Sequence, residues 1–229
     1  AAPLDPSSLA LLIIDVQERL AAAMAPDAAA AVERNLITLA AAAERFALPV
    51  VVSEQYPKGL GRTTAAVAGA LEAVRGVCFF EKVEFAACAA PAWTEAVGPT
   101  PRSTWLVTGM ETHVCVFQTV RALRSRGHEV IVLADAVASR TEGNWKNGLE
   151  LCARAGATIA NTETVVFDLL GKAGTDDFKA LDIGALHRAG FLQFGRSGTW
   201  TWSRGGKKIG WIELRAEASA VVLTYRWRW

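Results

Sequence analysis

The chain has 229 residues and a mass of 24.4 kDa, which suits one globular domain of ordinary size with a small addition. Apolar residues make up 52% of it and charged residues 21%, a balance that excludes disordered, collagen-like and acidic solvating chains. The net charge is +1, and the apolar runs fall far short of the roughly 20 residues that a membrane-spanning helix needs.

Six short apolar runs alternate with helical stretches along the chain. The predicted strands cover residues 9–16, 49–53, 77–81, 104–109, 129–134 and 158–161. The predicted helices cover residues 28–47, 63–74, 92–97, 112–126, 144–155 and 163–170, and a closing helix covers 176–186. Several runs are nearly continuous in Leu, Ile and Val, as is typical of strands buried on both faces. The alternation predicts an α/β fold, a three-layer open sheet of six mainly parallel strands with helices on both faces.

Residues 196–229 form a separate compositional unit, which predicts a domain boundary after residue 195. They hold seven basic and two acidic residues and five of the eight tryptophans, whereas residues 1–195 hold 17 basic and 21 acidic residues. Alternating aromatics before Gly205-Gly206 predict a β-hairpin, so we expect a short C-terminal β-rich extension. Docking on a partner subunit is the preferred interpretation, and a recombined gene end is an alternative. Base stacking on nucleic acid ranks lowest, because residues 1–195 are acidic.

Ligands of an open parallel sheet bind beyond the carboxyl ends of its strands. The chemistry-bearing residues at those ends should therefore converge in space; they are Asp15, Gln17, residues 53–56, Lys82, residues 110–115 and Asp135. A carboxylate at Asp15 is costly to bury unless it is paired, and it can act as a base; a loop cap is an equally good interpretation. A cation at Lys82 could lower a thiol pKa or neutralise developing negative charge, although most lysines are simply solvated.

Cys115 is the most informative residue, because it lies between the end of a predicted strand and the start of a helix. There the helix dipole favours a thiolate and nucleophilic attack, and nearby N–H groups could stabilise an oxyanion. His113 lies two residues away, so it would point away from the thiol and make a poor base. Cys78, Cys88 and Cys152 are interpreted as inert thiols.

The remaining cysteine, histidine and glycine patterns carry no recognisable site. The four cysteines contain no CxxC pair and the three histidines are scattered, so we expect neither a disulfide framework nor a structural zinc site. Residues 58–63 match no phosphate-binding pattern, and Asp135 is interpreted as a structural cap. We predict no metal and no cofactor. No signal peptide is recognised, so we expect a cytoplasmic protein.

Five segments, taken in chain order, form a recognisable pattern. They are Asp15-Val16-Gln17, Ser53-Glu54-Gln55-Tyr56-Pro57-Lys58-Gly59-Leu60-Gly61, Glu81-Lys82-Val83-Glu84-Phe85, Gly109-Met110-Glu111-Thr112-His113-Val114-Cys115 and Ala134-Asp135-Ala136-Val137-Ala138-Ser139-Arg140. Together they resemble the isochorismatase-like cysteine hydrolases, and the second and fifth are similar to the isochorismatase domain-containing subgroup. The resemblance covers roughly residues 8–190.

The resemblance implies an Asp–Lys–Cys triad, carried here by Asp15, Lys82 and Cys115. In this family the aspartate takes the thiol proton, the thiolate attacks a carbonyl or similar carbon, and water releases the covalent intermediate. The resemblance also implies an oxyanion hole formed by the N–H groups of Glu111 and Cys115, and a cis peptide bond between Met110 and Glu111. The matching candidates for substrate binding are Gln17, Gln55, Tyr56 and Phe85.

The chain departs from the family pattern at positions that bear on its activity. Metal-dependent nicotinamidases carry histidines in the loop after the second strand, where this chain has Ser53-Glu54-Gln55-Tyr56; this argues against a metal and against nicotinamide hydrolysis. Isochorismatases proper lack the nucleophilic cysteine, so Cys115 argues against that reaction. Val83 and Ala86 stand where the family often has hydroxyl residues.

We therefore predict a metal-independent cysteine hydrolase that acts on a small-molecule amide or related C–N bond through a thioester-type intermediate. A homodimer or larger homo-oligomer is expected, with neither nucleic acid nor membrane as a partner. The alternative is a catalytically silent isochorismatase-fold binding or scaffold protein, which Val83 and Ala86 favour. A redox enzyme using Cys115 is a third interpretation, and it lacks a resolving thiol nearby in the sequence.

Overall fold

The computed structural model describes residues 3–98 and 102–181, together with the backbone of residues 198–204, 207–217 and 220–227. The chain divides into two compact units, Ala1–Gly190 and Phe191–Trp229. The predicted boundary after residue 195 lies outside the described residues. None of the helices within the described ranges is both long and apolar enough to cross a bilayer.

The first unit alternates strands and helices as predicted. Its strands are β1 (Leu9–Ile14), β2 (Val50–Gln55), β3 (Val77–Lys82), β4 (Thr104–Met110), β5 (Glu129–Ala138) and β6 (Thr158–Ala160). Its helices are α1 (Glu18–Ala22), α2 (Pro26–Phe46), α3 (Pro57–Leu60), α4 (Ala65–Leu71), α5 (Trp93–Val97), α6 (Phe117–Ser125), α7 (Glu142–Arg154), α8 (Thr162–Leu170) and α9 (Asp176–Ala180). Strand β5 runs past its predicted end at residue 134. The closing helix ends at Ala180, and residues 182–186 of that prediction lie outside the described part of the chain.

The six strands form one sheet in the order β3-β2-β1-β4-β5-β6, and every pairing is parallel. The chain moves outward from β1 to β3 on one side and then returns to build β4 to β6 on the other. The order of strands therefore reverses between β1 and β4, which is where ligands bind in open α/β sheets.

Helices cover both faces of the sheet, as the nearly continuous apolar strands require. Leu11 and Ile13 of β1 pack in one core together with Leu36 of α2. Leu12 and Ile14 point to the opposite face and pack in a second core with residues of α5 and α6. All four of these β1 side chains are buried. The sheet is thus the middle of three layers, which confirms the predicted fold.

The second unit is a three-stranded antiparallel sheet in the order β7-β8-β9, formed by β7 (Gly198–Arg204), β8 (Lys207–Glu217) and β9 (Ala220–Trp227). Arg204 pairs with Lys207, so β7 and β8 form an antiparallel pair at the predicted place. The predicted turn residues Gly205 and Gly206 lie outside the described residues. A C-terminal β-rich extension is confirmed.

Candidate active site

A carboxylate and an ammonium form a fully buried ion pair at the carboxyl ends of β1 and β3. Lys82 Nζ donates to Asp15 Oδ2 at 2.7 Å, and both side chains are 0% exposed. Lys82 Nζ also donates to Gln55 Oε1 at 2.6 Å and to the Glu84 carbonyl at 3.2 Å. Charges can be buried in this way only when each one is paired and hydrogen-bonded. Loss of either partner would leave the other charge without compensation.

Strand β2 lies between β1 and β3 and supports both charged groups. Ser53 Oγ donates to Asp15 Oδ1 at 2.7 Å, because Ser53 is in register with Ile14, the last residue of β1. Asp15 itself has a left-handed backbone with φ 53°, a conformation that Asp and Asn adopt more readily than most residues. The carboxylate is therefore oriented by a hydroxyl on one oxygen and by the ammonium on the other.

Cys115 completes the cluster. It lies in a π-helical turn, Thr112–Val116, that leads from β4 into α6, and it is 6% exposed. Its thiol lies close enough to Asp15 and Lys82 for both charges to act on its pKa. The structure thus brings together three groups that the sequence separates widely, since Lys82 lies 67 positions after Asp15.

The surroundings of Cys115 favour the protonated thiol. Burial raises its pKa strongly, the charge of Asp15 raises it further, and Lys82 acts in the opposite direction without prevailing. A thiolate stabilised by the helix dipole stays a prediction. Burial also raises the pKa of Asp15, although Lys82 and the hydrogen bond from Ser53 oppose the shift. Transfer of the proton from thiol to carboxylate leaves the net charge of the buried group unchanged, so no additional charge is desolvated.

An Asp15→Asn variant is expected to lower the pKa of the Cys115 thiol. The substitution removes the charge through which Asp15 raises that pKa and leaves the ammonium of Lys82 in place. Asn tolerates the left-handed backbone, so the local fold is retained. Thiolate absorbance during a pH titration measures the effect. The titration of a Cys115→Ala protein gives the contribution of the other three thiols, which is subtracted. An unchanged thiol pKa would show that the carboxylate does not act on the sulfur.

The turn that carries Cys115 is tied to two neighbouring segments. Thr119 Oγ1 donates to the Cys115 carbonyl at 2.7 Å and accepts from the Ala87 N–H at 2.8 Å. On the other side, the Glu111 carboxylate accepts from the backbone N–H of Arg140 at 2.9 Å and from its Nε at 3.1 Å. These bonds connect the turn to the segment after Lys82 and to the end of β5. The peptide bond between residues 110 and 111 is cis, as the resemblance implied.

Gly148 allows α7 to pack directly against this turn. A Cβ at position 148 would lie 2.7 Å from the backbone nitrogen of His113 and 2.7 Å from the carbonyl carbon of Thr112. Both atoms belong to the backbone and cannot yield without moving the turn. The absence of a side chain at this position therefore helps to set the position of Cys115.

A Gly148→Ala variant is expected to lose about 1–3 kcal/mol of unfolding free energy and to displace the Cys115 turn. Gly143→Ala in the same helix is the matched control, because its Cβ would meet nothing within 4 Å while bringing the same change in helix propensity. Chemical denaturation compares the two variants. Equal stabilities would contradict the tight contact at position 148.

Gln17 and Gln55, two of the predicted substrate-binding residues, hold the loop around Lys82. The Gln17 amide donates to the carbonyls of Gln55 at 3.1 Å and Gly61 at 2.7 Å, and its oxygen accepts from the Gln55 N–H at 2.7 Å. The Gln55 amide contacts Lys82 and donates to the Val83 carbonyl at 2.9 Å. Both side chains thus bind protein groups, and direct contact with a substrate stays a prediction for them.

The other two predicted substrate-binding residues are accessible to a ligand. Tyr56 is 56% exposed and Phe85 is 53% exposed, and Val83, between Lys82 and Phe85 in sequence, is 69% exposed. The Tyr56 N–H donates to the Lys82 carbonyl at 2.9 Å, which places its backbone beside the lysine. These exposed side chains give the segments next to the buried ion pair an apolar character.

The structure agrees with the sequence-based interpretation of the remaining candidates. His113 Nδ1 lies 3.1 Å from Ser139 Oγ, so its ring binds the end of β5. Asp135 Oδ1 accepts from the N–H and the hydroxyl of Thr162 at 2.9 and 3.0 Å, which makes it a structural cap at the start of α8.

None of the other three cysteines is hydrogen-bonded to a charged side chain among the described residues. Cys88 and Cys152 are buried, and Cys78 is partly buried. Burial raises the pKa of Cys88, and it raises that of Cys152 to about 12. In residues 3–98 and 102–181, no group of three His, Cys, Asp or Glu side chains is arranged to hold a metal ion; a metal-free reaction stays a prediction.

Comparison with known proteins identifies relatives over most of the first unit. The isochorismatase domain model matches residues 9–164. The secreted isochorismatase effector Isc1 of Phytophthora sojae is 36% identical over 145 residues, which are 63% of this chain and 69% of that protein. Isochorismatase domain-containing protein 1 of Danio rerio is 38% identical over 136 residues, 58% of this chain and 46% of its own length. The solved structure of MAR1 ribonuclease from Caenorhabditis elegans superimposes with a TM-score of 0.71 at 28% identity, covering 89% of this chain and 100% of that one.

Proposed function

Since the chain belongs to the isochorismatase family, we propose that it is a cysteine hydrolase that cleaves an amide or related C–N bond in a small molecule. The observation that supports this proposal is the buried ion pair of Asp15 and Lys82 beside Cys115, whose pKa both charges affect. A base, a cation and a thiol in one water-poor site are the groups that covalent acyl transfer requires.

The first half of the proposed reaction acylates the enzyme. Asp15 takes the proton of Cys115 as the sulfur forms a bond to the carbonyl carbon of the substrate, and the carbonyl oxygen becomes an oxyanion. The N–H groups of Glu111 and Cys115 stabilise that oxyanion, and Lys82 compensates the negative charge of the cluster. The C–N bond then breaks, and the leaving nitrogen takes the proton from Asp15.

The second half releases the product. Asp15, ionised again, takes a proton from a water molecule that attacks the thioester carbon. The C–S bond breaks, the proton returns to the sulfur of Cys115, and a carboxylic acid leaves the site. One water molecule is consumed and one C–N bond is hydrolysed in each cycle, without a cofactor. We propose that Tyr56 and Phe85 contact the substrate, whereas Gln17 and Gln55 position Lys82.

A Cys115→Ala variant is expected to lose all turnover of a panel of small amides, because no other group can form the thioester. Cys78→Ala serves as the control and should retain activity, since Cys78 is not part of the cluster. Mass spectrometry of the wild-type enzyme with an activated ester should detect an acyl group on Cys115. Full turnover by Cys115→Ala would contradict the proposal. Turnover and acylation both absent from the wild type would favour the silent binding protein.

The wider expectations about partner and location are also proposals. We propose a homo-oligomer, which light scattering on the purified protein tests.

The relative from Phytophthora sojae is named a secreted protein, so a cytoplasmic location stays a prediction. Single-stranded RNA belongs in the substrate panel, because the relative from Caenorhabditis elegans is named a ribonuclease; we expect no cleavage of it.

A further inference from the structure

A cavity lies between the start of α2, the end of β5 and the start of α7. It encloses about 280 Å³, and Asp15, Lys82 and Cys115 are not among its lining residues. Ala28, Ala31 and Trp145 give it apolar walls. The Trp145 indole is fixed there, because its Nε1 donates to the Ala134 carbonyl at 3.2 Å. The volume is just below the roughly 300–1,000 Å³ of most ligand pockets, so only a small molecule fits.

The polar lining of this cavity carries charges of both signs. Arg140, Asp135 and Glu142 line it. Arg140 is half-exposed and bonds Glu111 through Nε, while its terminal nitrogens make no hydrogen bond within the described part of the chain. Asp135 uses Oδ1 on Thr162, and Glu142 pairs with a lysine on the same helix. One cation and two carboxylates at an apolar pocket suit a ligand that bears both an anionic and a cationic group.

We propose that this cavity binds a free amino acid with an apolar side chain. The ligand carboxylate binds the terminal nitrogens of Arg140, because a planar guanidinium matches a carboxylate. The ammonium group faces Asp135 and Glu142. The side chain packs against Trp145 and the alanines of α2, where it buries apolar surface.

The residues at this cavity also hold the turn that carries the thiol. Ser139 lines the cavity and bonds His113, and Arg140 lines the cavity and bonds Glu111 with both its backbone and its side chain. A carboxylate bound to Arg140 would order this side chain and with it Glu111. Because Cys115 is nearly buried, its alkylation requires the turn to open. The bound amino acid should therefore slow that opening.

Calorimetric titration of the full-length Cys115→Ala protein tests the binding site without any dependence on turnover. L-Phenylalanine is expected to bind about tenfold more tightly than 3-phenylpropionate, which lacks the ammonium, and than phenylalaninamide, which lacks the carboxylate. Ala31→Leu fills the cavity and should abolish binding. Ala30→Leu, on the same helix but outside the lining, should not, and melting temperatures show whether both variants fold. Absence of binding by phenylalanine and leucine would overturn the proposal, as would equal affinity for 3-phenylpropionate.

Alkylation of the wild-type protein tests the connection to the thiol. Saturating phenylalanine should slow the reaction of Cys115 with iodoacetamide about fivefold, as read by peptide mass spectrometry, and should leave Cys78 unaffected. The coupling concerns the accessibility of Cys115, and it rests on the proposed function only because that function makes Cys115 the nucleophile. An unchanged alkylation rate in the presence of measured binding would overturn the coupling. It would leave the hydrolase proposal, which Cys115→Ala turnover tests, undisturbed.

Discussion

A Lys82→Met variant loses about 3–5 kcal/mol of unfolding free energy in our expectation, and its turnover falls by a factor of about 10² to 10³ or more. Methionine keeps the apolar stem but removes the ammonium that bonds Asp15, Gln55 and the Glu84 carbonyl. Within residues 3–98 and 102–181, the buried Asp15 carboxylate then keeps only the hydrogen bond from Ser53. The stability loss reflects the unpaired carboxylate, and the kinetic loss reflects the missing positive charge beside the thiol.

The stability loss of Lys82→Met depends on pH in a defined direction. Burial raises the pKa of Asp15 already in the wild type, and Lys82 is the main group that opposes this shift; without it the pKa rises further. An aspartate in the unfolded chain titrates near a pKa of about 3.9. Between the unfolded and the folded pKa, the folded protein holds a proton that the unfolded chain lacks, so the unfolding free energy falls as pH rises through that window. In urea unfolding, Lys82→Met should therefore lose less unfolding free energy relative to the wild type at about pH 5 than at about pH 8.

The double variant Asp15→Asn/Lys82→Met separates stability from catalysis. It contains no unpaired charge, so it should recover most of the free energy that the single variant loses. Its turnover should not recover, because both the base and the cation are gone. If the double variant is as unstable as Lys82→Met, the stability loss comes from the packing of the lysine stem. That result would contradict an unpaired Asp15 carboxylate as the cause.

A Gly109→Ala variant is expected to be the most destabilising change of a single small residue in β4. The φ of Gly109 is 115°, and a Cβ would lie 1.9 Å from the carbonyl oxygen of Ile14. A positive φ of this kind costs an ordinary residue about 1–2 kcal/mol, and overpacking adds about 1–3 kcal/mol. The unfolding free energy should therefore fall by about 2–5 kcal/mol, out of a total that is typically about 5–15 kcal/mol.

Thermal unfolding measures this effect, and Gly69→Ala is the matched control. Gly69 lies inside α4, and a Cβ there would meet nothing within 4 Å. That change should gain up to about 1 kcal/mol from helix propensity. A Gly109→Ala protein that melts at the wild-type temperature would show that β1 and β4 can separate without cost. Turnover should fall along with stability, because Gly109 lies near the end of β4, just before the turn that carries Cys115.

The meeting of Asp15 and Lys82 follows from features that a sequence displays. Each residue comes at the end of an apolar run, and parallel strands place their carboxyl ends at one edge of the sheet. The order of the strands makes this contact possible, since β2 separates β1 from β3 by a single strand and contributes Ser53 and Gln55 to the gap. The residues of the cluster were therefore predictable, although their catalytic roles stay proposals.

The ionisation of Cys115 was not predictable from its position, because it depends on the sum of burial and two opposing charges. The structural roles of Thr119 and Gly148 were not predictable from the sequence either. Their importance comes from contacts with Ala87 and with the turn at Thr112, and these contacts join elements far apart in the chain. Gln17 looked like a ligand contact because it follows Asp15, yet its hydrogen bonds bind the loop that contains Gly61.

The position of β2 between the two charged groups has a consequence for how this protein matures. Lys82 reaches Asp15 only after β1 has paired with β2 and β2 has paired with β3, and a slip of one residue would turn the lysine to the opposite face. Pairings between distant parts of a chain form slowly, whereas helices form early. The surroundings of the Cys115 thiol are therefore complete only once both pairings have formed. During refolding, recovery of turnover is therefore a better measure of complete folding than recovery of helix content.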